Sequence, residues 1–144
     1  MKLLLIGIGL VVLVAACGSN EDDNKQRPTR EVATVEGGGV YQTLTMDQFA
    51  DIVANRADEY QIINVHIPYA GEVENTDALI PYDDLDALMS ALPDKSAPII
   101  LYCRSGRMSE EASRALLERG YTQVWDVPGG MVAWEESGRT LIQR

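Results

Sequence analysis

The sequence predicts an α/β domain built in three layers, a mainly parallel central sheet with helices on both faces. Three observations carry that expectation. Short apolar runs rich in Ile and Val alternate with stretches of helical periodicity. Prolines and glycines punctuate the joins, as at Pro93, Pro98 and Gly120. A cysteine loop follows directly on the most apolar of the runs, Ile99-Ile100-Leu101-Tyr102. Strands that alternate with helices need crossover connections, which cover the sheet with helices and put ligand sites at the carboxyl ends of the strands.

The chain of 144 residues opens with Met1-Lys2 and the unbroken apolar stretch Leu3 to Ala16. A charged start and an apolar run too short for a permanent membrane helix predict an export signal over residues 1–16. The stretch ends Leu13-Val14-Ala15-Ala16-Cys17-Gly18-Ser19, which resembles the lipobox of bacterial lipoproteins. That resemblance implies cleavage before Cys17, lipidation of its thiol, and a membrane partner reached through the lipid anchor on the extracytoplasmic face. Residues 17–39 are polar, charged and glycine-bearing without a sustained period, and are expected to form a flexible tether. The folded domain is expected over residues 40–144, beginning near Val40.

Within that domain, Thr45 and Gln48 form a capping box ahead of a helix that shares Phe49, Ile52 and Val53 on one face. Gln61-Ile62-Ile63-Asn64-Val65 reads as a buried strand, and an irregular stretch runs from it to Pro81. A short acidic helix, Asp83 to Leu92, stops at Pro93, with its aspartates at a solvated N-terminus. The strand from Pro98 to Tyr102, a capped helix from Ser109 to Gly120, a strand from Gln123 to Val127 and a short helix from Met131 to Glu136 complete the order. Trp125 and Trp134 are expected in the core, and Tyr69 and Tyr82 are candidate walls of the site.

Cys103 is the residue on which the chemistry converges. It sits just ahead of a helix N-terminus, where unpaired N–H groups and the positive dipole end favour an anion, and Arg104 and Arg107 add positive charge. Both effects favour sulfur as S⁻. The chain has two cysteines, and with Cys17 lipidated Cys103 has no partner for a disulfide. Gly106 permits a backbone turn in which successive N–H groups converge on one point, while Ser105 and Ser109 add hydroxyl donors. An ionised thiol in such a nest needs no histidine or carboxylate base.

The loop Cys103-Arg104-Ser105-Gly106-Arg107-Met108-Ser109 resembles the active loop of the single-domain rhodanese sulfurtransferases, commonly Cys-Arg-Ser-Gly-Arg-x-Ser. The run Asp126-Val127-Pro128-Gly129-Gly130-Met131-Val132-Ala133-Trp134 is similar to the family's closing Gly-Gly-x-x-Ala-Trp segment, and the likeness spans roughly Tyr41 to Leu141. It implies a rhodanese-like three-layer fold. It also implies that Cys103 takes sulfane sulfur from a small anionic donor such as thiosulfate, as a persulfide cradled by the backbone of Arg104 to Met108 with Ser105, Arg107 and Ser109 assisting. A thiol or cyanide acceptor, or a protein thiol, then removes the sulfur. Where the family usually has Asp-x-Arg after its second strand, this chain has Asn64-Val65-His66, and Ile67-Pro68-Tyr69-Ala70-Gly71-Glu72 replaces the usual Gly-His-Ile-Pro-Gly-Ala. These departures fall beside the site, where His66 is a candidate lining residue.

Other functions weigh less against the residues. A Cys-x5-Arg phosphatase needs arginine six positions after the cysteine, where this chain has Ser109. A net charge of −10 without a basic stripe excludes nucleic-acid partners. A single histidine, His66, makes no zinc site, and the reading calls for no metal or cofactor. The alternative from another class is a tethered, non-catalytic binding or regulatory module of the same shape. A module of that kind has no need of the Cys103 thiol with both arginines and both serines.

Overall fold

The computed structural model describes residues 33–34 and 39–144. The expected signal of residues 1–16 and Cys17 lie outside the described residues, as does the expected tether apart from Ala33, Thr34 and Gly39. In chain order the elements are β1 (Ala33–Thr34), β2 (Val40–Thr43), α1 (Met46–Asn55), a 3-10 turn (Ala57–Glu59), β3 (Gln61–Asn64) and β4 (Ala78–Leu79). They continue with α2 (Leu85–Ala91), β5 (Ile99–Tyr102), α3 (Arg107–Glu118), β6 (Val124–Asp126) and α4 (Gly130–Glu136). The strands form one sheet in the order β1-β2-β6-β5-β3-β4. Strands β2 to β6 pair in parallel and β1 runs antiparallel on the edge.

Strand alternation sorts the core into two layers. Ile63, Ile99, Leu101 and Val124 pack with Leu88 of α2 and Ala112, Leu116 and Leu117 of α3. Ile62, Ile100, Tyr102 and Trp125 pack on the other side with Phe49, Ile52 and Val53 of α1 and Met131 and Trp134 of α4. Because helices cover both faces, all four residues of β5 are buried, which is why its sequence is continuously apolar instead of alternating. The expected α/β architecture with helices on both faces is therefore the observed one.

The local signals behave as their chemistry dictates. Thr45 Oγ1 accepts the Gln48 amide at 3.2 Å while Gln48 Oε1 accepts the Thr45 amide at 2.9 Å, closing the capping box of α1. Asp84 caps α2 by accepting the Ala87 amide at 3.0 Å. Three details differ from the sequence reading. The stretch after β3 contains a short parallel strand, β4, on the sheet edge. Strand β1 falls inside the segment expected as a tether. Helix α3 starts at Arg107, two residues before Ser109, because Gly106 in the left-handed region (φ 98°) turns the chain into the helix without a side-chain cap.

Candidate active site

Cys103 follows the last residue of β5 and precedes α3 by three residues, at the carboxyl end of a central strand. Its side chain is 1% exposed. The Gly106 amide donates to Sγ at 3.1 Å, and the Ser109 hydroxyl lies 3.6 Å from the same sulfur. Ser109 is fully buried, and its hydroxyl also donates to the Gly106 carbonyl at 3.1 Å. The early start of α3 puts Arg107, Met108 and Ser109 in its first turn, whose amides have no carbonyl acceptor within the helix. Two donors, the Gly106 amide and the Ser109 hydroxyl, therefore face the sulfur beside the start of α3.

The other expected site residues take different places. Arg104, Ser105 and Arg107 are exposed on the rim. Arg107 pairs loosely with Glu111 at 3.8 Å, its side chain 72% exposed. Met108 is half-buried and packs against the α2–α3 layer, so part of its side chain serves the core. Among the described residues, the loop amide that reaches Sγ is that of Gly106, a narrower cradle than the full set of converging N–H groups expected.

His66 stands half-buried just past β3, where Val65 donates to the Tyr102 carbonyl at 2.9 Å. Burial, and then the positive charge of Arg104, push its pKa down. Asn64 has a structural task. Its Oδ1 accepts the His66 amide at 3.0 Å and its Nδ2 donates to Gly71 O at 3.1 Å, tying down the atypical stretch. Next to it, the fully buried Tyr102 hydroxyl accepts the Val73 amide at 3.0 Å and bonds Thr76 Oγ1 at 2.7 Å, and its phenol is pushed up to about 12, mainly by burial. Tyr69 is exposed, and Tyr82 packs partly against the core.

The double glycine acts through main-chain contact. Met131 N donates to Cys103 O at 2.9 Å and Val132 N to Arg104 O at 3.0 Å, so the first turn of α4 holds the backbone of the cysteine loop. A Cβ on Gly130 (φ 50°) would overlap the Cys103 carbonyl oxygen. Sequence reasoning missed Asp126, a buried carboxyl at the end of β6 whose Oδ2 accepts the Tyr41 hydroxyl at 2.7 Å. Its one signal was a charged residue at the end of a strand otherwise read as apolar.

Residues 42–137 match the Rhodanese-like domain family. The chain is 32% identical over 90 residues to a protein of Allochromatium vinosum named sulfurtransferase, covering 60% of this chain and 83% of that protein. It is 31% identical over 75 residues to the thiosulfate sulfurtransferase GlpE of Pseudoalteromonas translucida, covering 52% and 70%. Among solved structures, a rhodanese-related protein from Thermoplasma volcanium superposes with a TM-score of 0.60 at 20% identity, covering 72% of this chain and all of that one.

Proposed function

This chain belongs to the rhodanese-like domain family, and on that footing we propose that it is a rhodanese-type sulfurtransferase that carries sulfane sulfur on Cys103. The observation that carries this reading is the sulfur itself, set among the Gly106 amide, the Ser109 hydroxyl and the start of α3. Those donors suit a sulfur anion, on Cys103 or one atom further out on its persulfide.

With thiosulfate as donor, the Cys103 sulfur attacks the outer sulfur. The donor's S–S bond breaks, sulfite leaves with the electron pair, and the terminal sulfur remains on Cys103 as a persulfide. Arg104 and Arg107 on the rim attract the dianion in an otherwise acidic protein. A thiol, a protein thiol or cyanide then attacks the terminal sulfur and Cys103 leaves as thiolate. In the same reading, Cys17 carries the lipid that holds the domain on the extracytoplasmic face of a bacterial membrane, an assignment supported by the lipobox-like residues before it.

Intact mass spectrometry of the full chain after incubation with thiosulfate, beside Cys103→Ser, tests the reaction. A gain of one sulfur that cyanide removes and that the variant lacks is the expected result. Absence of the adduct in a folded protein whose Cys103 still alkylates rejects thiosulfate as donor and favours the non-catalytic module. Membrane fractionation tests the anchor: Cys17→Ala is expected in the soluble fraction, and its retention on membranes refutes lipidation.

A further inference from the structure

Glu72 is 1% exposed, a carboxylate taken out of water in the stretch where the chain departs from the family pattern. Among the described residues its ionic partner is Arg144, whose Nε faces Glu72 Oε1 without the alignment of a hydrogen bond. The Arg144 side chain is 60% exposed, so a surface cation reaches inward to a buried charge. Main-chain bonds seat the pair: Glu72 N donates to Ile142 O at 3.0 Å and Ile142 N to Glu72 O at 2.8 Å. Arg144 N donates to the Tyr69 hydroxyl at 3.0 Å, and Arg144 Nη2 donates to Thr76 O at 2.7 Å. A Cβ on Gly71 (φ 97°) would lie 2.6 Å from Gln143 Nε2 and 3.3 Å from Leu141 Cβ, so the two segments are in close contact there. Residues 140–144 thus lie as a strap across residues 69–76.

The strap is anchored on one side and leads to the site on the other. The Trp134 indole of α4 donates to Thr140 O at 3.0 Å, and Leu141 packs on the layer of α1 and α4. In the strapped segment, the Gly71 carbonyl accepts from Asn64 Nδ2 at 3.1 Å, and Oδ1 of the same side chain accepts the His66 amide at 3.0 Å. The parallel register Asn64↔Tyr102, continued by the bond from Val65 N to Tyr102 O, brings His66 level with the loop that Cys103 opens. Val73 N and Thr76 Oγ1, both bonded to the Tyr102 hydroxyl, pin the far end of the segment.

We propose that Arg144 is a positioning residue that, through Glu72, holds residues 66–76 as a closed wall of the Cys103 site and so restricts the thiol to small reagents. A buried charge that loses its partner is costly to keep in place. Without the guanidinium, Glu72 gains by turning to water, and its two main-chain bonds to Ile142 go with it. The segment that carries His66 is then released at its middle, while Tyr102 still pins its end. In the sulfur-transfer reading, on which this consequence rests, the strapped state serves small donors and acceptors such as thiosulfate and cyanide, and a bulky or protein thiol takes sulfur when the strap lifts. The control of access itself concerns the Cys103 thiol whatever it reacts with.

The test compares two labels on Cys103 in the full chain, resolved from Cys17 by peptide mass spectrometry: iodoacetamide as the small reagent and a polymer-linked maleimide as the bulky one. Arg144→Ala is expected to raise the maleimide rate about 10-fold and to leave the iodoacetamide rate within about 2-fold. Hydrogen exchange should quicken over residues 66–76 and 140–144 and stay unchanged in α1 and β5. In a Glu72→Gln background, where no buried charge needs a partner, Arg144→Ala should add less than about 2-fold. An unchanged maleimide rate overturns the proposal, as does an undiminished effect in the Glu72→Gln background. Equal rises for both reagents, or exchange quickened through α1 and β5, overturn it too, because Arg144 then serves the stability of the whole domain. A wild type that takes no sulfur from thiosulfate, while Arg144→Ala still admits the maleimide selectively, sinks the donor assignment and supports the strap.

Discussion

The main-chain amide of Met131 donates to the carbonyl oxygen of Cys103 at 2.9 Å. Cys103 is thereby held from both sides of the sheet. Its side chain belongs to the layer of α2 and α3, and its carbonyl is bound by α4, which packs on the opposite face. The cysteine loop keeps its shape because two helices on different faces agree on it.

Gly130→Ala tests that agreement. The added methyl would overlap the Cys103 oxygen and lie 3.1 Å from the Arg104 carbonyl carbon, at a φ that L side chains resist. With backbone on the other side of the contact, nothing flexible can give way. The variant is expected to lose about 3–5 kcal/mol of stability in urea denaturation. The persulfide yield of whatever remains folded should fall with it.

Arg107→Ala separates binding from folding. The side chain is 72% exposed and its ion pair with Glu111 is long, so stability should change by less than about 0.5 kcal/mol. If the guanidinium attracts the donor anion, KM for thiosulfate should rise about 10-fold with kcat nearly unchanged. A fall in kcat at unchanged KM would instead place Arg107 in the reacting complex.

Asp126 should leave a pH signature on stability. Burial holds its carboxyl above the ordinary value of 3.8, so between that value and the raised one the folded protein binds a proton more tightly than the unfolded chain. The stabilisation is fully present below 3.8 and is lost as pH rises through the folded value. The unfolding free energy of the wild type minus that of Asp126→Asn should therefore decline across this window, by at most about 1.4 kcal/mol per pH unit, and stay flat above it. A difference that rises with pH there would contradict the assigned direction.

Tyr102→Phe should be a stability variant. Removing the hydroxyl strips a buried acceptor from the Val73 amide and a partner from Thr76. The expected loss is about 1–3 kcal/mol by thermal or urea unfolding. The ring still fills its place against Phe49, so Cys103 should stay reactive.

What the sequence disclosed, and what it withheld, follows from the range of the interactions. Ile99 to Tyr102, the Thr45–Gln48 box and the cysteine loop declare themselves locally, through patterns a few residues long. Helix α3 misled by two residues because Ser109 has the chemistry of a cap, whereas the turn is made by Gly106 and the serine is spent on the sulfur. Strand β4 has two residues on an edge, too few for any period to emerge. Asp126 meets Tyr41 across 85 positions, and only the sheet order β2-β6-β5 brings that pair beside the cysteine. The contact between the double glycine and the Cys103 carbonyl was hidden for the same reason, although the glycines themselves were in plain view.

The junction at Cys103 also makes the protein report on itself. A thiol that is 1% exposed, with its carbonyl held by one layer and its sulfur by the other, becomes open to a bulky reagent only when the layers part locally or globally. Labelling by a large maleimide thus times the breathing of the sandwich, while a small electrophile reads the chemistry of the closed state. The ratio of the two rates measures how often the domain opens at Cys103.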